Sequence, residues 1–181
     1  MTSPEGHLLE LFSSWQGEGP YAGLKQVFVR LSGCHLRCAY CDTPESWERS
    51  SAWTLRGESR SNPVTVAETL DAIRSFGPHP SVSLTGGEPV VQAEFVREVA
   101  LGVRAMGMRT YLDTSGTLAE RLAVCADAID VVAFDIKLPG DELAHTACLG
   151  FGLERCVMAL FQTHGFDPGG WPDAVRDKLW A

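Results

Sequence analysis

Gly33-Cys34-His35-Leu36-Arg37-Cys38-Ala39-Tyr40-Cys41-Asp42-Thr43 follows the apolar run Val27-Phe28-Val29-Arg30-Leu31, and the two together govern how the rest of the chain reads. The apolar run predicts a buried strand. The loop after it carries three thiols at C-x3-C-x2-C, close enough in sequence to wrap one metal centre. Three ligands suit a cubane iron–sulfur cluster whose fourth iron stays open to another molecule, whereas four would close it. Structural zinc is the rival, but it wants four ligands, usually as two separated pairs, and only His35 lies near enough to be the fourth. Buried thiols without any metal would need three cysteines clustered by chance. The cubane is the favoured reading.

Composition sets limits around that loop. The chain has 181 residues, 45% of them hydrophobic, enough for one domain with a core. Its net charge is −8 and its pI near 5.1, a field that repels phosphate backbones and argues against nucleic acid as a direct substrate. The N-terminus, Met1-Thr2-Ser3-Pro4-Glu5-Gly6, lacks the basic start and apolar run of a signal peptide. No apolar stretch approaches the length of a membrane span. Six cysteines without an export signal read as ligands and free thiols of a reducing compartment. The expected setting is cytoplasmic, with no membrane partner.

Outward from the loop, strand and helix signals alternate. Residues 8–12 predict a first strand, followed by a glycine-rich loop over 13–23 holding Gln16 and Glu18, which is a ligand loop or a plain turn. Arg30 inside an apolar strand points into a polar cavity or reaches solvent from an edge. Residues 43–62 show no period and read as an insertion loop. Asn62-Pro63 opens a helix with Val66, Leu70, Ile73 and Phe76 at helical spacing, ended by Gly77-Pro78. A strand over 81–85 runs into Gly86-Gly87-Glu88-Pro89, and a helix covers 92–106. A strand over 109–112 ends in Asp113-Thr114-Ser115-Gly116. A helix over 118–126 holds Cys125 as a packing thiol, and a strand spans 130–137. This is the rhythm of a parallel α/β sheet or barrel, with polar residues collected at the same strand ends.

Cys34-x3-Cys38-x2-Cys41, with Tyr40 before the last cysteine, resembles the radical S-adenosylmethionine (SAM) superfamily, and Gly86-Gly87-Glu88-Pro89 matches its second signature. More narrowly, Gln16-Gly17-Glu18-Gly19, Phe28-Val29-Arg30-Leu31-Ser32-Gly33-Cys34, Cys41-Asp42-Thr43, Thr114-Ser115-Gly116 and Asp135-Ile136-Lys137-Leu138-Pro139 resemble the 7-carboxy-7-deazaguanine synthases. The likeness covers residues 8–140. It implies an α/β fold, a partial (β/α) barrel of the radical SAM type, with truncation left open and a short helical C-terminal tail. It further implies that Cys34, Cys38 and Cys41 hold three irons of a [4Fe–4S] cluster whose fourth iron chelates SAM. Tyr40, Gly86, Gly87, Glu88 and Ser115 would lie at SAM, and Lys137 would be a SAM or substrate contact or a solvated strand end. Gln16, Glu18 and Arg30 would bind the substrate, Arg30 through the bidentate geometry that suits a carboxylate. Thr43 resembles a Mg2+ ligand, an oxygen donor for a hard cation.

The reaction implied is ring contraction of 6-carboxy-5,6,7,8-tetrahydropterin to 7-carboxy-7-deazaguanine with loss of ammonia, a step toward queuosine and other 7-deazapurines. A flavodoxin- or ferredoxin-type reductant and a homodimer come with the resemblance. Two alternatives stand beside it: another radical SAM enzyme, of activase type, and a non-catalytic iron–sulfur or SAM-binding fusion fragment.

After Pro139 the pattern changes. Gly150-x-Gly152-x-Glu154-Arg155 is similar to motif 3 of class II aminoacyl-tRNA synthetases, and residues 141–181 most resemble the tail of amino acid:carrier-protein ligases. There, an arginine at the position of Arg155 contacts ATP and a cysteine at that of Cys148 binds zinc. The partner motifs of that site are absent from this chain, so adenylation is disfavoured. The expectation is structural, with helices over 153–164 and 171–180, and Cys156 and His164 as ordinary helix residues. The expected organisation is a partial-barrel domain over 1–139 and a tail over 140–181 that packs on it without being an independent domain.

Overall fold

The computed structural model describes residues 3–135 and Pro172. Lys137, the two tail helices and the proposed 140–181 segment fall outside the described residues. In chain order the elements are β1 (Glu5–Gly6), β2 (Leu8–Trp15), β3 (Lys25–Leu31), β4 (Ala52–Leu55), β5 (Glu58–Ser61), β6 (Val64–Thr65), α1 (Val66–Arg74), β7 (Ser81–Gly86), α2 (Ala93–Ala105), β8 (Arg109–Thr114), α3 (Ala119–Cys125) and β9 (Val131–Phe134). The sheet and its helices belong to a unit of Met1–Trp15 with Leu24–Cys148, while the loop Gln16–Gly23 belongs to a second unit.

Among the described residues the main sheet has seven strands in the order β5-β4-β2-β3-β7-β8-β9. β2 and β3 pair antiparallel, and β3, β7, β8 and β9 run parallel. Helices lie in the crossovers that these parallel neighbours require: α1 between β3 and β7, α2 between β7 and β8, and α3 between β8 and β9.

Side-chain alternation makes the two faces of the sheet different. Leu11, Val29, Leu84, Leu112 and Val132 stand in one transverse row. The first four are buried in the core with Ile73 of α1 and Phe95, Val96, Val99 and Val103 of α2. Each such aliphatic side chain contributes on the order of 1.5–3 kcal/mol relative to exposure. The neighbouring row, Phe12, Phe28, Ser83, Tyr111 and Val131, turns to the opposite face. Glu10, Arg30 and Thr85 follow on that face. A sheet with an apolar, helix-covered back and a polar, aromatic front is a stretch of barrel wall, and the α/β partial-barrel expectation holds.

Two local expectations are corrected. Residues 43–62 are not a featureless loop: β4 and β5 form a hairpin, and β4 adds to the sheet parallel to β2. Trp53 and Leu55 alternate inward into the core, and the turn uses Arg56 and Gly57 at φ 53° and 85°. The helix also starts later than Pro63. The Asn62–Pro63 bond is cis and leads into β6, which pairs with β1. Thr65 is the N-cap: its hydroxyl accepts from the Glu68 N–H, and the Glu68 side chain accepts from the Thr65 N–H. That reciprocal pair, not the proline, sets the first turn. No helix among the described residues is long and apolar enough to cross a membrane.

Candidate functional site

Because β3 and β7 are parallel neighbours, Leu31 and Gly86 end side by side and the loops after them meet. The Gly33 N–H donates to the Ser46 carbonyl at 2.7 Å, and the Gly33 carbonyl accepts from the Glu88 N–H at 3.0 Å. The Cys34 N–H donates to the Trp47 carbonyl at 2.9 Å, and the Gly87 N–H to that of Leu31 at 3.1 Å. The first cysteine is thereby clamped between the end of β7 and the short turn Pro44–Ser46.

The glycine pair is required by this clamp. Gly86 sits at φ +135°, where a Cβ would lie 2.1 Å from the Leu31 carbonyl oxygen. A Cβ on Gly87 would lie 2.6 Å from the Ser46 oxygen, 2.7 Å from that of Gly33 and 3.0 Å from the Cys34 Cβ. Backbone approaches backbone here, which only glycine permits.

Cys34, Cys38 and Cys41 are free thiols, each partly exposed. Burial pushes the Cys34 thiol up, the Leu36 N–H at its sulfur opposes this, and the Glu88 carboxylate raises it further. The Cys41 N–H closes a turn onto the Cys38 carbonyl at 3.1 Å. Arg37 braces the loop from outside: it donates to the Cys34 carbonyl at 2.6 Å and the Leu36 carbonyl at 2.8 Å, lies over the Trp47 ring and pairs with Glu48.

Among the described residues no three His, Cys, Asp or Glu side chains converge on a single-ion position. A cubane does not ask for that, since it spreads three thiolates over three irons. Tetrahedral zinc does, and His35 turns its Nε2 to the Thr117 hydroxyl at 2.8 Å. The donor set fits the cubane.

Glu88 is 2% exposed and carries the densest polar contacts of the site. Its Oε1 accepts from the Thr114 hydroxyl at 2.7 Å, and its Oε2 from the Ser115 N–H at 2.9 Å and the Ser115 hydroxyl at 2.6 Å. The Val90 N–H adds a longer contact at 3.4 Å. Glu88 therefore ties the end of β7 to the end of β8. Both donors of Ser115 point at it, and its hydroxyl oxygen lies 2.8 Å from the Thr117 hydroxyl and 3.4 Å from the Thr117 N–H.

Arg30 lies on the polar face of the sheet. Its Nε donates to Glu10 Oε1 at 2.8 Å, its guanidinium is over the Phe12 ring, and its Nη1 is 3.4 Å from the Thr43 hydroxyl. β3 lies between β2 and β7, so Arg30 is not on an edge strand, and its side chain is 24% exposed. Phe12 and Phe28 stack beside it with centroids 5.1 Å apart, and Ser83 donates to Asp113 at 3.2 Å. The Thr43 hydroxyl in turn donates to Asp42 at 2.9 Å.

Tyr40 is about half exposed, at 53%. Gln16 is buried at 5%, accepts the Glu18 N–H on its side-chain oxygen at 3.2 Å and accepts the Gly23 N–H on its carbonyl at 2.8 Å; these three residues share the Gln16–Gly23 loop. Cys125 is fully buried, as a packing thiol should be.

Four contributors were not singled out from the sequence: Glu10, the Phe12–Phe28 stack, Thr114 and Thr117. Pairing 8–12 and 27–31 as a hairpin would have brought Glu10 opposite Arg30. The threonines flank Ser115 in a stretch whose polar strand end was already visible.

The radical SAM superfamily model matches residues 28–157. The chain is 34% identical over 150 residues to a 7-carboxy-7-deazaguanine synthase from Geobacter sulfurreducens, covering 77% of this chain and 60% of that one. It is 39% identical over 151 residues to the synthase from Methanopyrus kandleri, covering 76% and 59%. The chain thus spans about 60% of the length of these curated relatives. A crystal structure of QueE from Escherichia coli superposes with a TM-score of 0.52 at 26% identity, over 62% of this chain and 54% of that one.

Proposed function

The chain belongs to the radical SAM superfamily, and on that premise we propose that it carries the catalytic core of a 7-carboxy-7-deazaguanine synthase. Membership implies a [4Fe–4S] cluster and SAM, which when bound supply one-electron cleavage of SAM and hydrogen-atom abstraction from the substrate. In this reading Cys34, Cys38 and Cys41 hold three irons and leave the fourth for SAM. Gly86, Gly87, Glu88, Ser115 and Tyr40 border the SAM position, with Glu88 fixing the two strand ends.

The substrate is 6-carboxy-5,6,7,8-tetrahydropterin, and the net change is loss of one ammonia as the ring contracts. The observation that carries this choice is the position of Arg30. Its guanidinium stands on the polar sheet face beside stacked rings and against Thr43, two residues beyond Cys41. A flat heterocycle bearing a carboxylate has there an apolar platform and a fork-shaped cation. Glu10 holds Arg30 in place from the neighbouring strand. For Gln16 and Glu18 the substrate role rests on the family resemblance of their loop alone.

Further parts of the same proposal are Mg2+ at Thr43, with Asp42 as the adjacent oxygen donor, a flavodoxin- or ferredoxin-type electron donor, a homodimer and a cytoplasmic setting. The test is ammonia release by the anaerobically reconstituted chain given SAM, dithionite and the carboxylated pterin. The same assay with a tetrahydropterin lacking the carboxylate should be silent. Equal ammonia from both would remove Arg30 from its role.

A further inference from the structure

We propose that His35 is a positioning residue that pins the cysteine loop to Glu88 through a one-way chain of hydrogen bonds. The chain runs His35 Nε2 to Thr117 Oγ1 at 2.8 Å, Thr117 Oγ1 to Ser115 Oγ at 2.8 Å, and Ser115 Oγ to Glu88 Oε2 at 2.6 Å. Counting protons gives it a direction. The Glu88 carboxylate has only acceptors, so the single hydroxyl hydrogen of Ser115 goes to Glu88. Ser115 Oγ must then accept from Thr117, whose single hydroxyl hydrogen is spent in turn. Thr117 Oγ1 must accept from His35, which fixes the imidazole with its hydrogen on Nε2.

This chain spans two loops that sequence separates widely. His35 lies inside the cysteine motif, and Thr117 lies in the turn between β8 and α3. The backbone clamp at Gly33 and Cys34 holds only the start of the motif. The His35–Thr117 bond instead ties the motif to the end of β8, by way of the residue that braces both strand ends. His35 thus couples the loop that carries the metal ligands to the strand ends that border SAM.

The inference rests on the radical SAM reading of the three cysteines. The test uses the full chain, reconstituted anaerobically, with two readouts: the rate of iron loss to a chelator, and SAM affinity from the spectrum of the reduced cluster. His35→Ala and Thr117→Val should each speed iron loss and weaken SAM about five-fold, the worth of one neutral hydrogen bond. The double variant should be no worse than the worse single, because both remove the same link. His35→Gln places an amide N–H where Nε2–H was, and Thr117→Ser keeps the hydroxyl; both should return to within about two-fold of the parent. Unchanged values in His35→Ala and Thr117→Val, or effects that multiply in the double variant, would overturn the assignment. A parent chain that takes up no cluster would count against the superfamily chemistry instead. In that case the 15N spectrum of the metal-free chain decides for His35: a hydrogen on Nε2 supports the relay, and one on Nδ1 refutes it.

Discussion

Replacing Glu88 by glutamine separates a brace from a ligand group, because it changes one atom and keeps the shape. Glu88 is 2% exposed, and its two oxygens take the Thr114 hydroxyl on one side and both Ser115 donors on the other. In Glu88→Gln an NH2 must face one of these sets. If it faces Ser115, two half-buried donors lose their acceptor, although the hydroxyl can turn. If it faces Thr114, that hydroxyl can reverse, and the loss is mainly of charge-assisted bonding. Losing charge-assisted bonding costs about 1.5–3 kcal/mol, and facing Ser115 would add about 1–3 for a stranded donor, so the cheaper orientation sets the expected loss at about 1.5–3 kcal/mol. With a urea slope of about 2 kcal/mol per molar, the midpoint of the metal-free chain should fall by about 1 M. Glu94→Gln is the internal control: its exposed ion pair with Arg121 is expected to contribute under about 1 kcal/mol. A metal-free Glu88→Gln chain as stable as the parent would show that the carboxylate braces nothing and serves only a bound molecule.

Gly87→Ala should prevent cluster uptake while leaving helix content near that of the parent, because its Cβ would strike the Ser46 and Gly33 carbonyls beside Cys34; iron content and circular dichroism check this, and full iron loading would contradict it. Arg30→Ala should raise the KM for the carboxylated pterin by one to two orders of magnitude, as expected for a lost charged contact. It should cost under about 1 kcal/mol in urea, since its ion pair with Glu10 is partly exposed. Thr65→Ala should destabilise the chain by about 1 kcal/mol through loss of the capping box. The Thr65 hydroxyl and N–H hold the Glu68 carboxyl below its usual range. That increment is therefore full above the unfolded carboxylate pKa, about 4.3, and fades as pH falls through the lowered folded value. The gap between parent and Thr65→Ala in urea should narrow in acid, and a gap independent of pH would remove Glu68 from the cap.

Most strands and helices were legible because their apolar periods are strong: β3, β7, α2, β8 and α3 lie within a few residues of where the alternation and helical spacing put them. The cysteine loop was legible because metal ligands must be close in sequence. The β4–β5 hairpin was missed because Ser, Arg and Glu mask a short alternation around Trp53 and Leu55, and its turn signal is the single pair Arg56-Gly57. Pro63 was misplaced because a proline fits a first helical turn as well as the residue before an edge strand. The glycine pair was legible as a motif at a strand end, but not the close backbone approach of Leu31, Gly33 and Ser46 that makes glycine necessary there. Such contacts join residues far apart in the chain, and no local pattern announces them. The same holds for Glu88 with Ser115 and for His35 with Thr117.

The most direct measurement is anaerobic reconstitution with iron and sulfide, followed by SAM, dithionite, Mg2+ and 6-carboxytetrahydropterin, with the products read by mass spectrometry. The residues described here predict both 5′-deoxyadenosine and 7-carboxy-7-deazaguanine, each dependent on Cys34, Cys38 and Cys41. An intact cluster spectrum with neither product would contradict them.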